Sequence, residues 1–276
     1  MKNKLDIKYK VPTKLLTPTG GFLQGYSHSL NPYTGCSFAC SYCYVRQSPV
    51  GLFRKQEWGK WVDIKQASKD KLIREIGNVK KRNKEVTIFM SSSTDPYQPI
   101  EHQENITRSL VEAMTVQQPD FLFVQTRSPL VTRDIDLFGK LGEKVRVSIT
   151  IETDQEHIRK RFTPNAPPIQ ARMEAVRKLK EHNIPVQIAI SPVLPFTNDF
   201  PRKLSELVDR IVVDDYYSGD GSQGRRTEKL NIKELYSGEE LKDWFGRETH
   251  QYAIELLSRS FDPNHIFFSQ EGFLPY

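Results

Sequence analysis

The sequence predicts an α/β fold, a partial (β/α)6 TIM-type barrel with N- and C-terminal extensions. Short β-rich runs alternate with helical stretches through the middle of the chain, and turn residues bound each run. Six such strand–helix repeats are present, and this alternation is typical of a parallel sheet with helices outside it. Six repeats are too few for a closed eight-stranded barrel.

The six predicted strands are rich in β-branched and aromatic residues. They begin near His28, Val86, Phe121, Val145, Val186 and Arg210. The helix before the second strand has Ser68 as a plausible N-cap, and Thr132 is the candidate cap of a later helix. Pro168 suits the first turn of the helix in "PPIQARMEAVRKLKEHN".

The chain shows no internal repeat and no low-complexity linker, so we expect a single domain over residues 1–276. The barrel core is expected over about 26–216. The segment "YYSGDGSQGRR" is predicted to be a mobile loop, and a C-terminal helical extension is expected over about 226–276.

Polar residues share one face of several strands toward their C-terminal ends. Ser148, Thr150 and Glu152 alternate in this way, as do Gln125 and Arg127. A strand covered on both faces should be almost wholly apolar. The pattern therefore predicts a lumen that holds a polar ligand at the carboxyl ends of the strands. The alternative is a buried network in which these groups satisfy one another.

Composition excludes several classes of protein. The chain has 276 residues and three cysteines within eight positions, which cannot form a disulfide framework and fit a reducing compartment. No apolar run is long enough to cross a bilayer, and the N-terminus lacks the apolar core of a signal peptide, so a cytoplasmic protein with no membrane partner is expected. The net charge of +6 permits a nucleic-acid partner, or it reflects only a solvated basic surface.

The cysteines lie in "LNPYTGCSFACSYCYVR" with the spacing CxxxCxxC. Three thiolates, from Cys36, Cys40 and Cys43, match three corners of a cubane iron–sulfur cluster. The remaining open metal position is a mark of reactive rather than structural sites. The alternative is a zinc site completed by His28, although this spacing lacks the paired short intervals of zinc sites.

With an aromatic residue before the last cysteine, this motif resembles the signature of the radical S-adenosylmethionine superfamily. The segments "SLNPYTGCSFACSYCYVR", "STDPYQPIEH", "TRSPLVTRDIDLF" and "ISPVLP" resemble its spore photoproduct lyase-related branch, described as DNA-repair-photolyase-like. The similarity extends from about Gly21 to Asp215.

The resemblance implies two cofactors, a 4Fe-4S cluster on the three cysteines and S-adenosylmethionine on its open iron. One electron from the reduced cluster would cleave S-adenosylmethionine to a 5′-deoxyadenosyl radical, which would abstract a hydrogen atom from an unidentified substrate. The cofactors carry this chemistry while the protein positions and shields them. An electron donor such as flavodoxin or ferredoxin is implied. The branch and the basic charge balance favour a nucleic-acid substrate, and a peptide or a small molecule fits equally.

The resemblance also implies roles for particular residues. Tyr42 would lie by the adenine, Arg127 would contact the carboxylate where the lyase branch tends to carry lysine, and Ser148 would contact the ribose or the carboxylate. Ser191 would lie near the adenine edge. The residues expected to meet the methionine amino group follow the second strand and are Ser91, Ser92, Ser93 and Thr94.

Each assignment has a structural alternative. Tyr42 is equally suited to core packing, and the serine run to a strand-end turn. Asp95 fits a turn or a helix cap as well as a ligand, whereas Lys65 and His102 fit exposed positions. The remaining pocket candidates, at the end of the last strand, are Asp214 and Asp215.

The chain departs from spore photoproduct lyase in its thiols. That enzyme uses a further cysteine to return a hydrogen atom, and all three cysteines here belong to the cluster motif. Thymine-dimer repair by the lyase's route is therefore not expected. Tyrosine could donate instead, and Tyr97, Tyr216 and Tyr217 lie near predicted strand ends. A non-enzymatic, zinc-stabilised nucleic-acid-binding module is the alternative function.

Overall fold

Seven parallel strands and one antiparallel edge strand form the main sheet. The computed structural model describes residues 5–276. The main sheet has the order β11-β10-β9-β8-β7-β6-β3-β2, and a smaller sheet has the order β1-β5-β4. The strands are β1 (Asp6–Lys10), β2 (Leu16–Pro18), β3 (His28–Leu30), β4 (Tyr33–Thr34), β5 (Trp61–Lys65), β6 (Thr87–Met90), β7 (Phe121–Thr126), β8 (Val145–Thr150), β9 (Val186–Ile190), β10 (Ile211–Val213) and β11 (Ile266–Phe268).

Helices connect the parallel strands and cover the outside of the sheet. They are α1 (Pro49–Leu52), α2 (Lys69–Lys80), α3 (Glu101–Glu104), α4 (Ile106–Val116), α5 (Ile135–Leu141), α6 (Glu156–Phe162), α7 (Ile169–Glu181), α8 (Phe200–Ser205), α9 (Tyr216–Gly219), α10 (Arg225–Glu228), α11 (Gly238–Trp244) and α12 (Thr249–Leu257). Short 3-10 helices occupy Gly21–Leu23, Tyr44–Gln47, Pro129–Asp134, Gly142–Lys144, Ile232–Leu235, Pro263–His265 and Ser269–Phe273.

The predicted fold class is confirmed. The six predicted strands are β3 and β6 to β10, and each pairs in parallel with the next. The alternation of side chains decides what each face packs against. Ile88 and Val124 face the helices in the main core, whereas Phe89 and Phe123 face the lumen and stack with ring centroids 5.0 Å apart. The strands thus bury apolar residues on both faces at their starts.

The C-terminal segment brings the two edges of the open sheet together. The Tyr26 hydroxyl donates to the carbonyl of Phe273 at 2.6 Å. The Gln270 side chain donates to the carbonyl of Phe22 at 2.8 Å. Residues 269–276 therefore close the lumen near the first strands, a role that requires contacts between residues about 250 positions apart.

Three details differ from the sequence-based expectations. The C-terminal extension is not wholly helical, because Ile266–Phe268 adds a parallel strand beside β10. Thr132 is not a helix cap, since it lies within a 3-10 helix that Ser128 caps. The loop after β10 is folded around Asp220, whose carboxylate accepts backbone N–H bonds from several residues of that loop: Ser222, Gly224, Arg226 and Thr227.

Two expectations about helix starts agree with the structure. Ser68 caps α2 by accepting the N–H of Lys71 at 3.2 Å. Pro168 immediately precedes the first residue of α7. Within residues 5–276, no helix is both long and apolar enough to cross a membrane.

Candidate functional site

The three cysteines lie on one wall of a cavity of ≈ 430 Å³ at the carboxyl ends of the parallel strands. All three thiols are free, and those of Cys36 and Cys40 are buried. The loop that carries them is held by Gln98, which accepts the N–H of Ser37 at 2.9 Å and donates to the carbonyl of Gly35 at 3.1 Å. A buried side chain from the next strand–helix connection therefore positions the cysteine loop.

Glycine is required at the start of this loop. Gly35 has a φ of +85°, and a Cβ there would lie 2.7 Å from the ring and the carbonyl oxygen of Trp61. Any side chain would be strained by both the backbone conformation and the contact. Close packing of the loop onto β5 thus depends on Gly35.

The chemistry of the three thiols fits an iron–sulfur cluster. Cys36, Cys40 and Cys43 line one cavity, and Cys thiolates are the ligands that hold the irons of such clusters. His28, the candidate fourth zinc ligand, bonds to Ser27 at 2.8 Å and pairs with Ile88 at the start of β6, away from the cavity.

Burial raises the pKa of all three thiols. The pKa of Cys43 rises to about 11, and those of Cys36 and Cys40 also rise. A coordinating metal deprotonates a thiol outright, so these groups become ligands only when iron binds. Arg127 donates to the sulfur of Cys40, which favours the thiolate at that position.

Four hydroxyl-bearing residues after β6 line the same cavity, namely Ser91, Ser92, Ser93 and Thr94. Asn31 holds Ser92 and Ser93 through side-chain bonds of 3.2 and 3.1 Å. The hydroxyls of Ser91 and Thr94 are buried, and neither has a hydrogen-bond partner in the part of the chain that the structure describes. Ser91 also has a φ of +74°, which is uncommon for a residue with a side chain.

Buried and unpaired hydroxyls are destabilising by about 1–3 kcal/mol each, so they usually have a ligand or a water as partner. Their position on the wall of the cavity fits a polar ligand such as the amino-acid portion of S-adenosylmethionine. The residues present therefore fit both groups that the cysteine motif implies.

Arg127 lies at the centre of a charged network beside the cysteines. It approaches the Tyr42 hydroxyl at 3.0 Å and Glu152 at 3.4 Å. Glu152 also accepts from Tyr42 and pairs with Arg172 at 2.7 Å. Burial acts to raise the pKa of Glu152, but the charges of the two arginines outweigh it and hold this pKa below its ordinary value.

Asp95 orients Arg127 from the other side. Its carboxylate accepts the Thr126 hydroxyl at 2.7 Å, the Arg127 N–H at 2.8 Å and the Tyr97 N–H at 2.9 Å. Asp95 therefore acts as more than a turn residue, because it joins the end of β7 to the end of β6. Its pKa is raised by burial, against the effect of these hydrogen bonds.

Most of the residues expected to bind the cofactor line the cavity. They are Tyr42, Ser91, Ser92, Ser93, Thr94, Arg127 and Ser191. Ser148 does not line it, because its side chain is buried one layer deeper and accepts from Gln187 at 3.3 Å. Thr150, two residues further along β8, faces the cavity instead and accepts from Gln125 at 2.7 Å.

Two aspartates with different roles follow β10 directly. Asp214 lines the cavity, receives Ser191 at 3.4 Å and is 4% exposed. Burial, followed by the charge of Asp215, raises the pKa of Asp214 to about 7. Asp215 caps α9 and bonds to His250 at 2.7 Å.

Several other candidates lie outside the main cavity. Lys65 and Tyr217 do not line it, and His102 lines a second, shallower cavity together with Tyr97. Of the three tyrosines considered as hydrogen donors, only Tyr216 reaches the main cavity. Sequence reasoning missed Gln98 and Asn31, because isolated amides in loops carry no spacing signal.

The fold is a partial α/β barrel in which three thiols and several polar side chains line one cavity. The chain belongs to the Radical SAM superfamily, whose family model matches residues 30–208. It is a radical S-adenosylmethionine enzyme, and the cofactors of the family are a 4Fe-4S cluster and S-adenosylmethionine.

Two relatives and two solved structures are similar to the chain. Uncharacterized protein MJ0683 of Methanocaldococcus jannaschii is 31% identical over 195 residues, covering 71% of this chain and 70% of that protein. Uncharacterized protein ORF301 of Acidianus two-tailed virus is 33% identical over 185 residues, covering 64% of this chain and 58% of that protein.

A mutant of spore photoproduct lyase has a TM-score of 0.66 at 14% identity, covering 95% of this chain and 81% of that chain. Another mutant of that enzyme, with bound AdoMet and dinucleoside spore photoproduct, has a TM-score of 0.63 at 15% identity with the same coverage. At these identities the similarity concerns the fold.

Proposed function

We propose that Cys36, Cys40 and Cys43 hold the 4Fe-4S cluster and that the adjoining cavity binds S-adenosylmethionine. When bound, these groups supply reductive cleavage of the sulfonium and a radical that abstracts hydrogen from a substrate. The observation that carries the proposal is the shared cavity wall, where three free thiols stand beside the unpaired hydroxyls of Ser91 and Thr94.

In this proposal, the residues of the chain bind and orient S-adenosylmethionine and shield it from water. Ser91 and Thr94 hydrogen-bond to the amino-acid portion of the cofactor, Arg127 pairs with its carboxylate, and Thr150 contacts the ribose in place of Ser148. Tyr216 and the folded loop around Asp220 cover the cavity, which limits access of water. The barrel and its C-terminal extension act as one domain over residues 1–276.

We further propose that the substrate is a nucleic acid. The overall charge of +6 supports this class, and a structurally similar lyase is described with a dinucleoside photoproduct bound. The loop over the cavity is nearly neutral, since residues 220–248 have six Lys or Arg and seven Asp or Glu. We therefore expect a flipped or single-stranded base to enter the cavity, rather than a duplex to lie along this loop.

The first experiment is anaerobic reconstitution with iron and sulfide, followed by reduction with S-adenosylmethionine present. We expect a 4Fe-4S spectrum and the formation of 5′-deoxyadenosine. The Cys40→Ala variant should lose both while its thermal unfolding remains cooperative, and Ser41→Ala is the matched control in the same loop. Cleavage retained in Cys40→Ala, or a zinc-loaded protein without a cluster, would overturn the assignment.

The substrate class is tested with perdeuterated single-stranded DNA and RNA. Deuterium should appear in 5′-deoxyadenosine only when the oligonucleotide is present. A fully active cleavage assay in which neither oligonucleotide transfers deuterium, while a peptide or small molecule does, would reject nucleic acid and leave the enzyme class intact.

A further inference from the structure

An exposed apolar segment lies beside the cysteine loop. We name residues Pro49 to Lys60 the tongue. Leu52 and Phe53 of the tongue are 57% and 82% exposed, and Val50 is 36% exposed. Three large apolar side chains within four positions form a contiguous exposed run, and such runs commonly mark sites of protein interaction.

The tongue packs directly against the loop that carries the thiols. A Cβ at Gly51 would lie 2.5 Å from the carbonyl oxygen of Arg46 and 2.7 Å from that of Val45, three and two residues after Cys43. Gly59 packs so closely on Ala39 that a Cβ there would overlap the alanine side chain. Both ends of the tongue are therefore held within van der Waals contact of the cysteine loop.

Two buried tryptophans connect the tongue to the cysteine loop. Trp58 belongs to the tongue, and its ring meets that of Trp61 edge-on with centroids 5.7 Å apart. Trp61 in turn packs against Gly35, the residue before Cys36. Both indoles belong to the same buried cluster as Cys36 and Cys40. Electron transfer slows steeply with distance, so closely packed aromatic rings beside the cysteine loop suit the entry of an electron.

Positive charge is concentrated in the N-terminal part of the sequence, which includes the tongue. Residues 1–85 contain 17 Lys or Arg and six Asp or Glu, whereas residues 86–276 contain 23 and 28. In the tongue, Arg54 is paired with Asp6 and Asp63. Lys55 and Lys60 are exposed, and neither has an ion pair within the described part of the chain. Glu57 is the tongue's one acidic residue.

We propose that the tongue is the docking surface for an acidic one-electron carrier protein, which reduces the cluster through Trp58 and Trp61. The carrier loses one electron and the cluster gains one, so no proton or further reactant is needed. The apolar side chains would supply short-range contact, and the lysines would attract the acidic carrier and speed encounter. A nucleic acid fits less well, because two of the three exposed apolar side chains, Val50 and Leu52, are aliphatic and do not stack on bases. This inference rests on the proposed function.

The test uses the reconstituted enzyme and reduced flavodoxin as the probe, with plant-type ferredoxin as a second acidic carrier. Cluster reduction is followed by stopped-flow absorbance at low ionic strength. Leu52→Ser with Phe53→Ser, and separately Lys55→Glu with Lys60→Glu, should lower the second-order rate constant at least about tenfold. The same variants should be reduced by dithionite at a rate within about twofold of the wild type, because exposed substitutions rarely disturb the fold.

Matched controls lie on other faces. Val116→Ser removes a side chain that is 73% exposed on α4, and Lys140→Glu with Lys178→Glu reverses two exposed lysines on α5 and α7. Neither control should change the rate with flavodoxin. Equal rates for the tongue variants and the wild type, or no reduction of the wild type by either carrier, would overturn the inference.

If the tongue binds a different partner, the same variants give different results. A tongue variant that weakens binding of a fluorescent single-stranded oligonucleotide but keeps the rate with flavodoxin would identify a nucleic-acid surface and overturn the proposal. A wild-type dimer that becomes monomeric in the Leu52→Ser, Phe53→Ser variant, with unchanged electron transfer, would identify a second copy of the chain instead. Failure of dithionite itself to support cleavage in the wild type would count against the proposed function and not against the docking surface.

Discussion

Two buried polar clusters differ in whether the protein itself supplies the hydrogen-bond partners of their polar groups. On the outer side of the barrel, Glu101 accepts Tyr33, the N–H of Thr107 at 2.9 Å and Arg133 at 2.6 Å. Asp134 accepts Tyr97 at 3.0 Å and Arg133 at 2.8 Å. We call these residues the structural cluster, and its two fully buried carboxylates are satisfied by the protein itself.

The cavity cluster, consisting of Ser91, Thr94, Arg127 and Asp214, is only partly satisfied. Its two hydroxyls have no partner among the described residues, and its carboxylate has a raised pKa. Polar burial by itself therefore does not mark the site. Within the cavity, Ser91 and Thr94 carry hydroxyls that the described residues do not satisfy, although buried atoms elsewhere, such as Nε1 of Trp58 and Trp61, are also unpaired.

The largest expected effect on stability comes from a substitution in the structural cluster. Glu101→Gln removes one of the two buried carboxylates that pair with Arg133 and weakens the hydrogen bonds that Glu101 accepts, so the free energy of unfolding should fall by about 3 kcal/mol. Urea denaturation measures this change. Glu104→Gln, one turn along on the surface, is the control and should change stability by less than about 0.5 kcal/mol. A stable Glu101→Gln protein would show that the network contributes little to the fold.

The next effect concerns the protonation of Asp214. The folded pKa of about 7 lies above the ordinary value of 3.8, so the native protein holds this proton more tightly than the unfolded chain. The contribution to stability is fully present below about pH 4 and is lost as the pH rises toward 7, with a slope of about 1.4 kcal/mol per pH unit.

Asp214→Asn should flatten this pH dependence between pH 4 and 7, and the variant should be more stable than the wild type at pH 8 by about 2 kcal/mol. Chemical denaturation across this range, with Asp209→Asn as an exposed control, measures the difference. Identical pH profiles for Asp214→Asn and the wild type would mean that this carboxyl ionises normally.

A smaller effect, on ligand binding, is expected when Arg127 of the cavity cluster is replaced. Arg127→Ala should weaken binding of S-adenosylmethionine by about 10- to 100-fold, since a hydrogen bond to a charged group contributes about 1.5–3 kcal/mol. Calorimetry with the reconstituted protein gives the affinity, and iron and sulfide content should be unchanged. Arg127→Lys should recover part of the loss through its charge. Unchanged affinity in Arg127→Ala would remove it from the site.

The smallest effect comes from one unpaired hydroxyl. Thr94→Val removes the hydroxyl and keeps the shape, so it should weaken S-adenosylmethionine binding about fivefold, near 1 kcal/mol. Without ligand, the variant should be as stable as the wild type or slightly more stable, because an unsatisfied buried group is lost. Thr107→Val is the contrast, since Thr107 is equally buried but donates to the carbonyl of Pro96, and its loss should lower stability. The reverse pattern would contradict the distinction between the two clusters.

The sequence predicted the parts of the fold that depend on local pattern. The strand–helix alternation identified β3 and β6 to β10, and the capping residue Ser68 was correct. The alternation of side chains along the strands predicted a polar lumen. It could not show which of Ser148 and Thr150 lines the cavity, because both lie on the same face of β8 and differ only in how deep they lie in the barrel. The depth of a residue in the barrel depends on strand register, and register is a property of the paired sheet.

The local sequence pattern did not predict features that depend on contacts between distant segments. The segment Ile266–Phe268 is too short for its residue pattern to predict a strand among the surrounding helices. It becomes a strand only because β10 offers a free edge. Thr132 resembled a cap, but the hydroxyl of Ser128 caps the turn that precedes α5. Gln98 and Asn31 act on the site across 61 positions of sequence, a separation at which periodicity carries no information.

The sequence by itself determined the class of this protein. The spacing of three cysteines and the alternation of strands and helices are local properties, and they predicted the fold class, thiolate ligands for a cluster and a ligand site at the strand ends. The resemblance of the cysteine motif to a known signature implied the superfamily and S-adenosylmethionine. Tertiary structure decided which polar groups remain unpaired, how residues 269–276 close the lumen, and that an exposed tongue lies against the cysteine loop. Each of these depends on contacts between segments far apart in the chain, and such contacts exist only once the sheet has formed.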